Sequence, residues 1–366
     1  MTRHSKIPPS SLSRVRKCPA SLIPNAADNT TSDAALEGTT AHWAAEQMLH
    51  GVAVRPCDVC PETHLEITDD MIVYVQCYVD YVNTIRHGHQ LHSNGVEHKV
   101  NIPQVHADCW GTLDYYAYNG ALYIVDLKYG FRIVEPVDNE QLMAYARGVA
   151  NELLLPSETR VVLVIVQPRP WHRLGPVREY FTTLADIDAE ITSIAHMVEE
   201  GLRSAAPPAS TGSHCLYCVK AVDCEALNIA ACNAVDVTMN CGEMVGMSNN
   251  QLSLMLENLE KAQTIIDIKK GAVETRLLEL IKEGEVVAGY EASPTYSRKD
   301  WLRPKDEMIA IGKAFGIDLI KEVLKTPGEA KKAGMKVDKL AKSVKSGVKL
   351  KRNDNNLARI IFSKEV

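Results

Sequence analysis

Asp114, Asp126 and Lys128 are the residues of this chain whose types and spacing can do chemistry. They lie in GTLDYYAYNGALYIVDLKYG, residues 111–130, where Asp114 sits in one apolar, alternating run and Asp126 ends the next. Asn119-Gly120 separates the runs and is a strong hairpin signal, because both residues tolerate positive φ. Lys128 follows Asp126 by two positions, so a strand's period of two puts both side chains on one face. Cleaving a phosphodiester needs an activated water and neutralisation of developing oxyanion charge, and a divalent cation held by carboxylates supplies both. Asp114 and Asp126 are the expected ligands, with the carbonyl of Leu127 beside them. Oxygen donors of this kind favour Mg2+ or Mn2+ over softer metals. Lys128 would hold the attacking water and stabilise charge on the phosphate. Gln141 and Tyr145, four apart on a predicted helix, would line the same cleft.

A sheet and several helices are needed to bring these residues together. The spacing predicts helices over about 33–49, 69–92, 139–154 and 184–202. Strands are predicted over about 97–102, over both arms of the hairpin at 108–128, and over about 160–167. A short helix capped by Ser11 or Ser13 should stop near Cys18-Pro19, and Gln167–Trp171 reads as a turn or loop. That order predicts an α/β fold with a central mixed sheet flanked by helices. Beyond Cys241 the pattern changes to long helical segments ending at Gly284, a polar extended connection over 289–304 and a helix over about 305–324. Thr326-Pro327-Gly328-Glu329 reads as a further helix start. The expected organisation is therefore an N-terminal segment (1–36), a core (37–204), a cysteine-rich closure (205–241) and a mainly helical accessory region (242–366).

Cys215, Cys218 and Cys224 present three thiols close together, one short of the four that close a common zinc or [4Fe–4S] site. Cys18, in the segment Arg-Lys-Cys-Pro, is the natural fourth. Cys57 and Cys60 form another close pair, either a zinc knuckle with Cys232 and Cys241 or unliganded loop thiols, the second being preferred. Cys77 and Cys109 read as core cysteines.

The array Gly-Thr-Leu-Asp114, Ile-Val-Asp126-Leu-Lys128 and Gln141-Leu-Met-Ala-Tyr145 resembles the PD-(D/E)XK nuclease superfamily, in particular its RecB-like exonuclease branch. The resemblance implies a restriction-endonuclease-like core with Asp114 and Asp126 on Mg2+ or Mn2+. It also implies Lys128 assisting hydrolysis and Gln141 and Tyr145 forming the helical motif. Leucine stands before Asp114 where proline is usual, and Asp126 replaces the commoner Glu. His42 in EGTTAHWAAE matches the branch's N-terminal histidine and would complete the metal shell, with Glu37 and Glu97 as supporting residues. Cys18 ahead of the core and Cys215, Cys218 and Cys224 after it are similar to the split cysteines of iron–sulphur members. That implies a [4Fe–4S] cluster, with zinc as the alternative. The whole arrangement, including GYEASPTYSRKDW and TPGEAKKAG, resembles RecB-like proteins of phages and prophages. It implies a DNA exonuclease working in recombination or end processing in the cytoplasm of a bacterial host, with a recombination or single-strand-annealing protein as partner. A structure-selective endonuclease with the same centre and a non-catalytic DNA-binding scaffold are the other readings.

Composition sets bounds on this. A formal net charge of −6 argues against a protein that coats nucleic acid indiscriminately, yet permits local basic surfaces. Between Lys321 and Arg352 there are 11 Lys/Arg against 3 Asp/Glu, an accessory segment that either faces phosphates or is simply solvated. Tyr129, Phe131 and Arg132 are nearer candidates for stacking and phosphate contact. The longest aliphatic run is VVLVIV at 161–166, so no membrane span is expected.

Overall fold

The computed structural model describes residues 5–22, 33–88, 90–239, 246–301, 305–319, 326–332, 334–337 and 339–352. The chain divides into two compact units, Met1–Lys270 and Gly271–Val366. The first contains α1 (Leu12–Lys17), α2 (Asp33–Leu49), α3 (Asp69–Gly88), β1 (Ser93–Asn101), β2 (Trp110–Tyr118), β3 (Ala121–Leu127) and α4 (Glu140–Glu152). It continues with β4 (Arg160–Val166), β5 (Val177–Thr183), α5 (Leu184–Arg203) and α6 (Glu225–Met239), and α7 (Asn249–Lys282) crosses the division. The second holds β6 (Tyr290–Trp301), α8 (Lys305–Ala314), α9 (Pro327–Lys332) and β7 (Ala341–Arg352).

Five strands form one sheet in the order β1-β2-β3-β4-β5. β3 and β4 are parallel and every other neighbouring pair is antiparallel, so the sheet is mixed. A parallel pair needs a crossover, and α4 supplies it. Alternation along the central strands feeds two cores. Leu122, Ile124, Leu163 and Ile165 pack with residues of α1, α4 and α5, whereas Val125, Leu127, Val164 and Val166 pack with residues of α2 and α3. Each such side chain contributes about 1.5–3 kcal/mol relative to exposure. Helices on both faces explain why β3 and β4 read as near-continuous apolar runs.

The turn between β2 and β3 falls at Asn119-Gly120 as predicted, but only Gly120 adopts positive φ (102°). The Asn119 side chain instead accepts a hydrogen bond from the Ala121 N–H at 3.1 Å. Ser11 stands at the N-cap of α1, yet its hydroxyl donates to the Pro8 carbonyl and does not cap the helix. The strand β5 lies where the sequence reading places no element, and β1 begins four residues earlier than expected.

Beyond residue 242 the described residues are mainly helical, through α7, α8 and α9, and the polar extended connection expected over 289–304 is drawn into a two-stranded sheet. β6 and β7 pair antiparallel over their length, with a register shift around Tyr296, and Met308, Leu319, Ala330, Met335, Val337 and Ala341 form a small core. β7 occupies the latter part of the lysine-rich segment, where lysine content masks the strand pattern.

Candidate active site

Pairing between β2 and β3 ends at Tyr115–Val125, so Asp114 and Asp126 are the next residues outward, where the two strands part. The Leu127 N–H, freed from that ladder, donates to Asp114 Oδ2 at 2.7 Å. Both carboxylates are nearly inaccessible to solvent. On the other side of β2, the β1 ladder skips one position. Val96 pairs with Tyr115 and His98 with Leu113, while Glu97, at φ 46°, stands out of the ladder opposite Asp114. The alternation of β2 breaks at the same place, since Leu113 and Tyr116 both face one core and Tyr115 faces the other. A non-glycine residue in the left-handed region is costly, and such strain concentrates at functional sites.

α2 brings His42 over this break, its Nδ1 lying 3.2 Å from Asp114 Oδ1. Thr40, fully buried in the same helix, is fixed by bonding to the Leu36 carbonyl and by sharing a 2.6 Å hydrogen bond with the Thr63 hydroxyl. His42, Glu97 and Asp114 each offer a ligand atom, all within 4.8 Å of one another. Across the site Lys128 Nζ lies 2.8 Å from Asp126 Oδ2 and donates to Gln141 Oε1 at 3.1 Å. Tyr145, one turn along α4 from Gln141, donates its hydroxyl to the Thr112 carbonyl at 2.8 Å. Gly111 permits that approach, because a Cβ there would sit 2.8 Å from the Tyr145 hydroxyl.

Electrostatics follow from this crowding. Burial opposes charge on His42, but Asp114 first, then Asp126 and Glu97, outweigh it and lift the imidazole to about 9. Burial and then Asp114 push Glu97 up to about 7 against the pull of His42. Burial also works against the Asp114 carboxylate, yet His42, Lys128 and the Leu127 N–H hold it below the ordinary range. For Asp126, burial and the neighbouring Asp114 prevail over Lys128, and its carboxyl rises. Lys128 resists burial through Asp126 and Asp114, and its ammonium is held above the ordinary value. Several buried carboxyl groups that cannot all ionise comfortably together favour either bound protons or a cation.

The donor set fits a hard divalent cation. It offers carboxylate oxygens and one imidazole, and Asp126 Oδ2, despite its ion pair with Lys128, accepts no well-aligned hydrogen bond. The buried Tyr78 hydroxyl on α3 also lacks a hydrogen-bond partner among the described residues, and after burial Asp114 is its strongest electrostatic neighbour.

The predicted Asp114, Asp126, Lys128, Gln141, Tyr145 and His42 thus meet at one place, where Leu127 takes part through its N–H. Glu97 belongs with them more closely than a supporting role implies, and the positive φ that aims it cannot be read from residue types. Glu37 instead pairs with Arg169 at 2.9 Å. Gln167, in the predicted turn, is fully buried and organises the loop after Lys128.

Cys18, Cys215, Cys218 and Cys224 line one cavity of about 400 Å³. The Cys215 thiol is pushed up by burial and, more weakly, by Cys218, Cys18 and Cys224, while the Gly212 backbone opposes the shift. The Ser210 N–H donates to Cys18 Sγ at 3.5 Å, Arg14 to the Tyr217 carbonyl and Lys220 to the Ala20 carbonyl, lacing the N-terminal segment to the cysteine segment. Among the described residues no three of these thiols come within 4.8 Å of one another. Cys57 is exposed and Cys60 buried beside an isolated bridge between Val59 and Glu66, while Cys241, the suggested partner with exposed Cys232, lies outside the described residues. Cys109 is buried as expected and Cys77 is half-buried.

The fold and site define an α/β protein whose five-stranded mixed sheet carries a partly buried His–carboxylate group able to hold a metal. The chain belongs to the DUF2800 family, a protein family of unknown function whose model matches residues 4–359. Among solved structures it is similar to the crystal structure of SSO0001, at 15% identity and a TM-score of 0.30, over 62% of this chain and 88% of that one. No described helix is long and apolar enough to cross a membrane.

Proposed function

We propose that this protein is a Mg2+- or Mn2+-dependent DNA exonuclease of PD-(D/E)XK type, close to the RecB-like iron–sulphur branch, acting in phage DNA recombination or end processing. The observation that carries this reading is the pair Asp114 and Asp126 at the parting of β2 and β3, with Lys128 Nζ 2.8 Å from Asp126 Oδ2. Asp114, Asp126, His42 and the Leu127 carbonyl would hold the cation, with Glu97 within reach of the same place. When bound, the cation supplies Lewis-acid polarisation of the phosphate and a more acidic water. Lys128 contributes a fixed positive charge aimed where oxyanion charge develops, and Gln141 holds its ammonium in place. Tyr145 ties α4 to β2 at Thr112, next to the strand end that bears Asp114.

The test is hydrolysis of end-labelled linear DNA by anaerobically purified protein with Mn2+, beside covalently closed circles. Linear DNA should be shortened from an end while circles persist. Cleavage of circles would replace the exonuclease by an endonuclease, and inactivity on both would leave a binding role.

The four cysteines supply the thiolates of a [4Fe–4S] cluster in this reading. A zinc tetrathiolate brings its sulfurs to about 3.8 Å, given Zn–S bonds of about 2.3 Å. Among the described residues no three of these thiols come that close, and all four line one cavity. Since Cys18 and Cys215 come from opposite ends of the core, the group would staple those ends together. Cys18→Ser should therefore lose iron and sulfide and speed proteolysis over 205–224 before it alters the sheet. Wild-type protein with zinc and no iron would establish the other metal.

A further inference from the structure

We propose that an exposed ladder of aromatic rings and guanidinium groups beside the acidic centre is a stacking platform for single-stranded DNA. This rests on the nuclease reading and narrows its substrate. The Arg169 guanidinium lies 4.3 Å from the Tyr129 ring centre and 4.2 Å from that of Phe131, and Arg132 lies 5.6 Å from the ring of Tyr217. Tyr129 directly follows Lys128, so the ladder starts at the reacting end of β3 and reaches the cysteine segment. Tyr129, at its inner end, is buried, whereas Phe131 is 66% and Tyr217 69% exposed; Trp171, two residues beyond Arg169 in the chain, is 87% exposed.

Large rings left in water on an ordered surface indicate a missing neighbour of matching chemistry. The loops that carry them are held by a buried amide. Gln167 Nε2 donates to the carbonyls of Gly130 and Arg132 at 2.8 and 2.7 Å. Its Oε1 accepts from the Val134 N–H at 3.1 Å and from Arg178 Nη2 at 2.8 Å. The backbone on either side of Phe131 is thereby held, and Arg169 and Trp171 follow Gln167 closely in the chain. Charge points to a polyanion. Residues 127–135 and 167–176 together hold four Lys/Arg against one Asp/Glu, in a chain of net charge −6. Arg169 is partly neutralised by Glu37, while Arg132 and Arg173 lie further out along the same loops.

Rings interleaved with cations are what an unpaired strand uses, because each base offers a face for stacking and each linkage a phosphate. Duplex DNA hides those faces between its own base pairs. A purely apolar protein partner would leave the guanidinium groups unpaired, whereas an acidic peptide would pair with them but would not offer a flat face to each ring along its length.

The experiment is fluorescence anisotropy of the full chain with a labelled single-stranded oligonucleotide and with a blunt duplex, in Ca2+ to permit binding without turnover. Phe131→Ala and Trp171→Ala should each weaken single-strand binding by about tenfold. Trp171→Phe, which keeps a ring, should restore most of it, and duplex binding should change less than about twofold. Variants that bind the single strand as wild type does, or that lose strand and duplex equally, would overturn the platform. Tighter binding of an RNA strand of the same sequence would overturn the assignment to DNA. Wild type that binds through these rings yet hydrolyses nothing with Mn2+ upholds the platform and removes the nuclease reading. Wild type that hydrolyses DNA while the variants bind unchanged removes the platform alone.

Discussion

Lys128→Ala is expected to lower single-turnover hydrolysis of DNA by about 10²- to 10³-fold at saturating Mn2+, the scale of losing one preorganised donor to a developing oxyanion. The loss has two sources. The ammonium that would meet the phosphate is gone, and so is the partner 2.8 Å from Asp126 Oδ2. Without Lys128, burial and Asp114 push the Asp126 carboxyl still further up, so metal must displace a proton there as well. Raising Mn2+ should therefore recover the part due to metal binding and leave the part due to chemistry. Asp126→Asn separates the same terms from the other side, since it keeps shape but removes the anionic donor, and more Mn2+ should rescue it poorly. A Lys128→Ala protein that retains more than about half of wild-type activity at saturating Mn2+ would exclude Lys128 from the chemistry. Asp126, left without its partner, can take up a proton, so the fold should survive the substitution at a cost in stability that a thermal melt reads.

What could be read in advance was what is local. Asp126 and Lys128 share a face through a period of two, Gln141 and Tyr145 share one through a helical turn, and Asn119-Gly120 marks the hairpin. Each signal spans a few residues and survives without knowledge of the rest. The position of Glu97 depends on a skipped rung between β1 and β2 and on positive φ at a residue with no special liking for it. Its neighbours, Val-Glu-His-Lys-Val, carry no mark of that. β5 went unread because Arg178, buried by Glu135, Gln167 and the Val134 carbonyl, stands at an inward position where alternation demands an apolar residue. The joining of Cys18 to Cys215, Cys218 and Cys224 spans the whole core, and its legibility came from a family pattern, since no local periodicity links them.

Metal affinity should rise with pH while the stability of the metal-free protein falls, and these opposite slopes identify His42 and Glu97 as part of one cation site. In the metal-free protein His42 stays protonated up to about 9 because Asp114, Asp126 and Glu97 surround it, and Glu97 stays protonated up to about 7. An imidazole must be neutral to ligate, so below pH 9 binding expels the His42 proton, and below pH 7 the Glu97 proton as well. Affinity for Mn2+ should then climb about tenfold per pH unit between 7 and 8, and more steeply below 7. Titration calorimetry in buffers of different ionisation heat would read the released protons, and His42→Gln should flatten the slope above pH 7. The sign for stability runs the other way. A folded-state pKa of about 9 against 6.5 for His42 gives stabilisation that is complete below 6.5 and lost as pH rises through 9. Glu97, at about 7 against 4.5, destabilises the folded state increasingly as pH rises from 4.5 to 7, and the raised Asp126 acts in the same direction. Asp114 is lowered, so its contribution is present at neutral pH and is lost only in acid. Thermal melts with a chelator should therefore drop from about pH 6 to about pH 8, while melts with excess Mn2+ should not. Parallel slopes with and without metal would mean that the cation does not displace the proton that His42 shares with Asp114, and would move the metal away from α2.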